Sequence, residues 1–427
     1  MKKHTQSPYE SSKVSYKPSG IEWLGEIPQS WEIRRLKYLF YISKEESRDE
    51  FPNVLSLTQN GIIERDITTN KGQLAQNYIG YNIVKRGDII LNPMDLSSGY
   101  VAKSTFEGVI SQAYIKIRPL ETLNLSYYES FFQNLYHYKI LWHLGKGISY
   151  DHRWTLGNDV FLNIKIPLPP LQEQKEIAEF LDSKCEKIQN YIDKKQKLIT
   201  LLQEKKQALI NEAVCGRVAC HTERSEVSTT AYKPSGIEYL GLIPHHWEVR
   251  RMKFMASIHN GREQTEIADE NGIYPIYGSG GILGKSMYFI YDKPSVLLGR
   301  KGTIDKPLFV EEPFWTIDTM FYTSVSKIVL PKYFYYLCLT IDFQFYISGS
   351  AIPSMTQYDL ANISFALPPL QEQKQIANFL DEKCEKINSV IEKTKKQIEL
   401  VKEYKNTLIN EAVCGRINLQ KRRGYDY

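Results

Sequence analysis

The chain says the same thing twice, and that constrains its fold more than any other feature. YKPSGIEWLGEIPQSWEIRRLK begins at Tyr16, and YKPSGIEYLGLIPHHWEVRRMK begins at Tyr232; 16 of 22 positions are identical. A longer pair follows. LPPLQEQKEIAEFLDSKCEKI begins at Leu168 and runs on to INEAVCGR at Arg217, and its counterpart runs from Leu367 to Arg416, with 34 of 50 positions identical. Between the paired segments the resemblance fades. The order is an opening motif, a variable region and a common segment, and then all three again. A fixed internal repeat of this size sets the architecture before any single residue is weighed.

The common segments read as long helices. Pro169-Pro170 and Pro368-Pro369 sit where a helix tolerates proline, just before its first turn. Glu173, Glu176, Glu179 and Asp182 crowd the first turns and complement the positive helix end. Gly216 and Gly415 fall where a left-handed C-cap is expected. In between, apolar positions recur every seven residues. One seam position takes Ala178, Cys185, Ile192, Ile199, Lys206 and Ala213, and the other takes Leu181, Ile188, Lys195, Leu202 and Leu209. The second copy places Ala377, Cys384, Ile391, Ile398, Lys405 and Ala412 beside Leu380, Ile387, Thr394, Val401 and Leu408. A 3.5-residue period held over five heptads predicts a coiled coil. Two like helices with one apolar stripe each most simply bury those stripes against each other, and pseudo-twofold symmetry predicts an antiparallel pair. About 43 helical residues would span about 65 Å. The seam lysines either fix the register or extend to solvent along their stems.

The variable regions read as mixed α and β. Short apolar or alternating runs at 53–57, 87–91, 113–117, 295–298 and 321–325 are separated by Gly, Asn, Asp and Pro. Trp31 and Trp247, at the same point of each opening motif, are expected to anchor the core. Residues 218–231 are polar and aperiodic and read as a linker. The expected fold class is therefore α+β, with two mixed domains separated by two long helices forming an antiparallel coiled coil. The expected boundaries are 1–167 (first variable domain), 168–217 (first helix), 218–231 (linker), 232–366 (second variable domain), 367–416 (second helix) and 417–427 (basic tail).

Composition excludes several classes. With 42% hydrophobic and 24% charged residues, the 427-residue chain is neither disordered nor fibrous. Six cysteines in this length make no disulfide framework. Residues 1–17 lack an apolar stretch, and no run of 18 apolar residues occurs, so neither a signal peptide nor a membrane span is expected. The expected location is the cytoplasm. The net charge of +5 is mild. It is also uneven: 20 Lys and Arg stand against 17 Asp and Glu over 1–167, and 12 against 13 over 232–366. Bulk charge permits nucleic-acid binding without requiring it.

Catalytic constellations are not apparent. No G-x-x-x-x-G-K-[ST] loop and no G-x-G-x-x-G turn opening a helix occurs. Asn92-Pro93-Met94-Asp95 lacks the second proline and the aromatic of an adenine-methyltransferase motif. Cys215, Cys220 and His221 lie close in sequence, but the partner pair of a zinc site is missing. Cys185 and Cys384 fall on helix seams, where cysteine behaves as a small apolar residue. His152 with Asp151 has no obvious nucleophile. No catalytic residue and no metal ligand is expected.

Nucleic-acid contacts fit better. Lys146, Tyr150, His152 and Arg153 mix cations and aromatics in one glycine-containing loop, the composition of an element reaching phosphates and base edges. Gln59 and Asn60 offer amides suited to adenine. In the second region, Arg300 and Lys301, with Ser279 in its glycine-rich run, are the counterparts. Arg34, Arg35, Arg250 and Arg251 lie in the shared motif. A shared element cannot read two different sequences, so phosphate or partner contact is the functional expectation for these four.

The paired motifs PSGIEWLGEIPQSW and PLPPLQEQKEIAEFLD, alternating with dissimilar regions, resemble the specificity subunit of type I restriction-modification systems, and the likeness covers essentially the whole chain. The resemblance implies two target-recognition domains, each binding half of a split double-stranded DNA site, spaced by the helices. It implies that the helices dock two methyltransferase subunits, with nuclease–translocase (restriction) subunits outside them. S-adenosylmethionine, ATP and Mg would then be used by those partners and none would be bound by this chain, a non-catalytic subunit. It transfers no base-contacting residue. Two alternatives stand beside it: a coiled-coil assembly protein that binds other proteins, and the specificity subunit of a modification-only system.

Overall fold

The computed structural model describes residues 15–49, 52–67, 75, 77–96, 100–147, 154–218, 231–346, 353–417 and 419. Six α-helices lie among them: α1 (Leu125–His137), α2 (Asn158–Leu162), α3 (Leu171–Val214), α4 (Pro331–Cys338), α5 (Gln357–Asn362) and α6 (Leu370–Val413). The chain divides into two compact units. One comprises residues 1–194 and 397–427, and the other residues 195–396. Each unit thus holds one variable region, the first half of one long helix and the second half of the other.

α3 and α6 have 44 residues each, and their buried stripes follow the seven-residue period. Every seam residue named above is buried or half-buried, while most positions between them are exposed. In the first unit the start of α3 (Ile177, Ala178, Leu181) shares a core with the end of α6 (Leu408, Ala412, Val413), so the two run antiparallel. The second unit repeats the arrangement with Ile210, Ala213 and Val214 against Ile376, Ala377 and Leu380. Lys206 keeps its stem half-buried and donates from Nζ to Oδ1 of the exposed Asn388 at 3.0 Å, which is how a seam lysine reaches solvent.

Each variable region is built on a four-stranded antiparallel sheet with the same strand order. In the first it runs Phe40–Ile42, Ile115–Pro119, Ile89–Leu91, Val101–Lys103. In the second it runs Ala256–Asn260, Met320–Val325, Ser295–Gly299, Leu308–Val310. The strands Ile89–Leu91 and Ser295–Gly299 are buried throughout, because alternate side chains enter different cores. Ile89 and Leu91 face α1 and the opening motif, whereas Ile90 joins Leu55, Ile62 and Val84 on the other face. Val296 and Leu298 face α4, whereas Leu297 joins Phe314 and Met320, with Tyr277 packed against them. That outer cluster holds a hairpin in each domain: Leu55–Thr58 with Gly61–Glu64, and Tyr274–Gly278 with Gly281–Ser286.

The repeated motifs turn out to be one lock used twice. Trp31 is 1% exposed, and its Nε1 donates to Glu173 Oε2 at 2.7 Å; Trp247 does the same to Glu372 at 2.9 Å. The neighbouring glutamines are buried. Gln174 accepts from the Asn124 amide and donates to Pro169 O, while Gln373 accepts from the Leu330 amide and donates to Ile328 O and Pro368 O. The first turn of each long helix is thereby fastened both to the opening motif and to the segment leading into α1 or α4. INEAVCGR supplies the other half. Gly216 and Gly415 take φ of +71° and +74° and close Schellman caps, with the Arg217 amide on Glu212 O and the Arg416 amide on Glu411 O. Arg217 then donates to Leu240 O, and Arg416 to Leu24 O. Tyr127 donates to Val413 O, and the hydroxyl of Tyr333, which donates to Ala366 O at 3.0 Å, also lies 3.5 Å from Val214 O. The helix end that completes each domain therefore belongs to the other repeat.

Candidate nucleic-acid interface

Gln59 and Asn60 form the two-residue tip of the first hairpin, both exposed. Thr58 Oγ1 organises the turn by donating to Gly61 O and accepting from the Asn60 amide. Both side-chain amides are without a partner among the described residues. Ser279 and Gly280 form the equivalent tip in the second domain, between the paired Gly278 and Gly281. The two tips share topology and differ in chemistry: carboxamides in one, a hydroxyl and a bare backbone in the other.

Arg300 and Lys301 follow the strand Ser295–Gly299, at the point where Asn92–Asp95 follows Ile89–Leu91. The structure brings Ser279 to this loop, for a Cβ built on Gly302 would lie 3.0 Å from Ser279 Oγ. The loop is held by the Met355 amide, which donates to Arg300 O at 3.0 Å. The first domain repeats the device, with the Leu156 amide on Pro93 O at 2.8 Å. Lys146 is exposed and pairs with Thr155 just before that bond, so it lies beside the Asn92–Asp95 loop. Tyr150, His152 and Arg153 lie outside the described residues.

Two features were not picked out in the sequence. The Arg262 side chain is exposed, and its amide donates to Thr316 O; the Arg300 and Lys301 amides both donate to Thr319 O. Three cations therefore gather around residues 316–319. None of them forms an ion pair among the described residues, and the Arg300 guanidinium donates only to the Asp318 carbonyl. This local cluster answers the acidic balance of the second domain, and only the fold assembles it. The second feature is apolar: Ile282 and Leu283, just past the hairpin tip, are exposed.

Behind the first domain's surface lies a structural charge network. Arg118 grips the buried Asp88 with two hydrogen bonds of 2.6 and 2.9 Å and pairs with Glu45 at 2.9 Å. The bonds to Asp88 hold the Arg118 guanidinium firmly in its charged form, and those from Arg118 hold Glu45 below the usual carboxylate range. Lys116 is fully buried and donates to Ile83 O; desolvation lowers its pKa. Burial raises the thiols of Cys185, Cys215 and Cys384 and pushes Cys414 up to about 11, which fits their apolar role. Among the described residues, no group of three His, Cys, Asp or Glu could hold a metal ion, and no helix is long and apolar enough to cross a membrane. Cys220 and His221 lie outside the described residues.

Arg34 and Arg35 end the exposed edge of the ladder that pairs Glu32–Arg35 with Lys165–Leu168. Arg250 and Arg251 occupy the same register against Ser364–Leu367. Arg34 is paired with Glu32 at 3.0 Å and Arg250 with Glu248 at 2.8 Å.

Comparison with known proteins agrees with this duplicated plan. A profile of the type I restriction modification DNA specificity domain matches residues 28–202 and again 244–400. The type I restriction enzyme MjaVIII specificity subunit of Methanocaldococcus jannaschii is 24% identical over 442 residues, covering 92% of this chain and 94% of the relative. The type I restriction enzyme EcoDI specificity subunit of Escherichia coli is 22% identical over 185 residues, covering 43% of this chain and 41% of that one. A solved chain from a study of assembly and conformational transition in a type I restriction-modification system shares the fold, with a TM-score of 0.68 at 14% identity, covering 92% of this chain and 99% of its own. Two matched domains on one repeated scaffold leave the coiled-coil assembly protein behind as a reading: the chain belongs to the family of type I restriction-modification specificity subunits.

Proposed function

We propose that each variable domain reads one half of a split DNA target, and that α3 and α6 space the two readers and dock two methyltransferase subunits, with restriction subunits joining outside them. One observation carries the reading. The two domains share a sheet, a strand order and a helix lock, yet differ at the loops those elements present: Gln59-Asn60 against Ser279-Gly280, and Asn92–Asp95 against Arg300-Lys301. Constant scaffolds with divergent tips are what a non-palindromic site requires, since amides, hydroxyls and guanidinium groups select different base edges. The chain itself is non-catalytic in this reading, and S-adenosylmethionine, ATP and Mg act on the partners.

The test is methylation mapping after domain exchange. Replacing residues 30–165 by the matching region of a relative should change one half of the methylated motif and leave the other half intact. A change in both halves refutes independent reading. Purified chain alone should neither methylate nor cut DNA.

A further inference from the structure

The second domain's hairpin exposes what the first domain's hairpin buries. The ladder of Leu55–Thr58 with Gly61–Glu64 is regular, so Ile62 enters the core at 7% exposure while Ile63 faces out. The ladder of Tyr274–Gly278 with Gly281–Ser286 is not regular. Ile276 pairs with Gly284 and Tyr277 with Ile282, which leaves Leu283 with no residue opposite it. That bulge breaks the alternation, and Ile282 and Leu283 are both exposed, at 63% and 54%.

The glycines around this pair are of two kinds. Gly278 is needed by Leu283, whose Cδ1 would lie 2.6 Å from a Cβ there, and Gly281 is needed for its φ of +118°. Gly280 and Gly284 answer to neither demand: a Cβ on either would meet nothing within 4 Å, and neither has a positive φ. Glycine weakens a strand through its conformational entropy, so bare backbone that the fold does not use leaves room for a close approach from outside. The surroundings indicate the visitor's charge. Tyr277, opposite Ile282, is also paired with Thr316, whose carbonyl accepts from the Arg262 amide. Ser279 stands against the loop of Arg300, Lys301 and Gly302. An aliphatic ridge set in bare backbone, beside cations that form no ion pair among the described residues, is complementary to stacked bases between phosphates.

We propose that Ile282 and Leu283 form a wedge that enters the DNA between two neighbouring base pairs of the second domain's half-site, with Arg262, Arg300 and Lys301 holding the adjacent phosphates. This rests on the functional reading above and gives the second domain a mode of recognition that the regular hairpin of the first does not offer. Insertion unstacks one step, and the cost depends on which step it is, so a flexible pyrimidine–purine step is favoured without a hydrogen bond to any base. Contact with a thymine methyl would occupy one aliphatic side chain. The ridge has two, side by side, and glycines on both sides of them leave no side chain to hold the bases away.

The test uses the chain co-purified with its methyltransferase subunit and duplexes carrying the mapped target, with binding read by fluorescence anisotropy. A nick placed at each step of the second half-site in turn lowers the cost of unstacking there. The parent should bind about tenfold tighter when the nick falls at the wedge step. Ile282→Ser with Leu283→Ser should lose that gain, whereas Ile282→Leu with Leu283→Ile should keep it. A gain at the methylated base belongs to base flipping by the methyltransferase and should persist in every variant. Gly280→Ala and Gly284→Ala should melt at the parent's temperature or slightly above it, yet bind the target about tenfold more weakly, which separates loss of contact from loss of fold. A parent without a nick preference away from the methylated base, a serine variant that keeps the preference, or alanine variants that bind as the parent does overturns the wedge. So does a loss of affinity when one thymine is replaced by deoxyuridine with no response to nicks, which would assign the ridge to a thymine methyl. A parent complex that binds the mapped target no better than a scrambled duplex overturns the functional reading itself.

Discussion

Ending the chain after Ile409 should unfold the first domain and spare the second, although the lost residues lie at the far end of the sequence from that domain. The deletion removes Ala412, Val413 and Cys414, each at most 1% exposed in the first domain's core. At roughly 0.8 kcal/mol per buried methylene-sized group, those side chains contribute about 4 kcal/mol. The three shortest hydrogen bonds to the rest of the domain that go with them are Tyr127 to Val413 O at 3.0 Å, Asn134 to Asn410 at 3.0 Å, and Arg416 to Leu24 O at 3.2 Å. At about 1 kcal/mol each they add about 3 kcal/mol. The sum, about 7 kcal/mol, is comparable to the whole stability of a typical domain, about 5–15 kcal/mol. Hydrogen exchange read by mass spectrometry should show protection lost over 16–168 and retained over 232–366. Equal loss in both regions, or loss confined to 232–366, would refute the argument that each domain is completed by the other repeat's helix.

Gln373→Leu should destabilise more than Gln174→Leu by about 1–3 kcal/mol, because it strands three backbone groups instead of two; denaturant titration measures the difference, and the Leu330 amide should exchange fastest. Gly415→Ala combines a left-handed φ with a Cβ 2.6 Å from Pro28, so it should cost more than the about 1 kcal/mol of conformational strain alone; a thermal melt in which it behaves like the parent would contradict the cap geometry. Burial raises the Glu129 carboxyl above the ordinary range, so the folded state binds its proton more tightly; the stability this contributes is present at low pH and is lost as pH rises through the raised value. Glu129→Gln should therefore match or exceed the parent's stability at pH 7 and lose that advantage below about pH 4, as read from urea midpoints across pH.

The helices were legible in the sequence because a heptad seam is local arithmetic. Burial falls on Leu181, Ile188, Ile192, Ile199, Leu202 and Leu209, and on Leu380, Ile387, Ile391, Ile398, Val401 and Leu408, with the period that spacing predicts. The strands expected at 53–57, 87–91, 113–117, 295–298 and 321–325 appear at Leu55–Thr58, Ile89–Leu91, Ile115–Pro119, Ser295–Gly299 and Met320–Val325, so their existence was clearer than their ends. The lock was not legible. Trp31 and Glu173 stand 142 positions apart and Tyr127 and Val413 stand 286 apart, and no local pattern announces such pairs. Arg300 and Lys301 stand out in the sequence, but Arg262 does not, because only the carbonyls of Thr316 and Thr319 bring it beside them. Gln59, Asn60 and Ser279 were picked for chemistry and glycine context, and the fold gives them a common position that neither signal contained.

Tyr232 donates to Gly216 O at 2.8 Å, and Tyr16 donates to Gly415 O at 3.3 Å. Both joints are the same handshake between an opening strand and a helix cap. A covalent tether, residues 217–231, bridges only the first. Each opening strand meets the capped end of a long helix through the same tyrosine-to-glycine bond, so the two joints are chemically interchangeable. Sealing the Gly415 joint with a tether of similar length and cutting within 219–230 would give a chain whose repeats appear in the opposite order along the gene while every contact described above persists. In such a chain each opening strand would still meet a helix cap through the same bond, so the order in which the repeats are synthesised would not decide which helix end completes which domain.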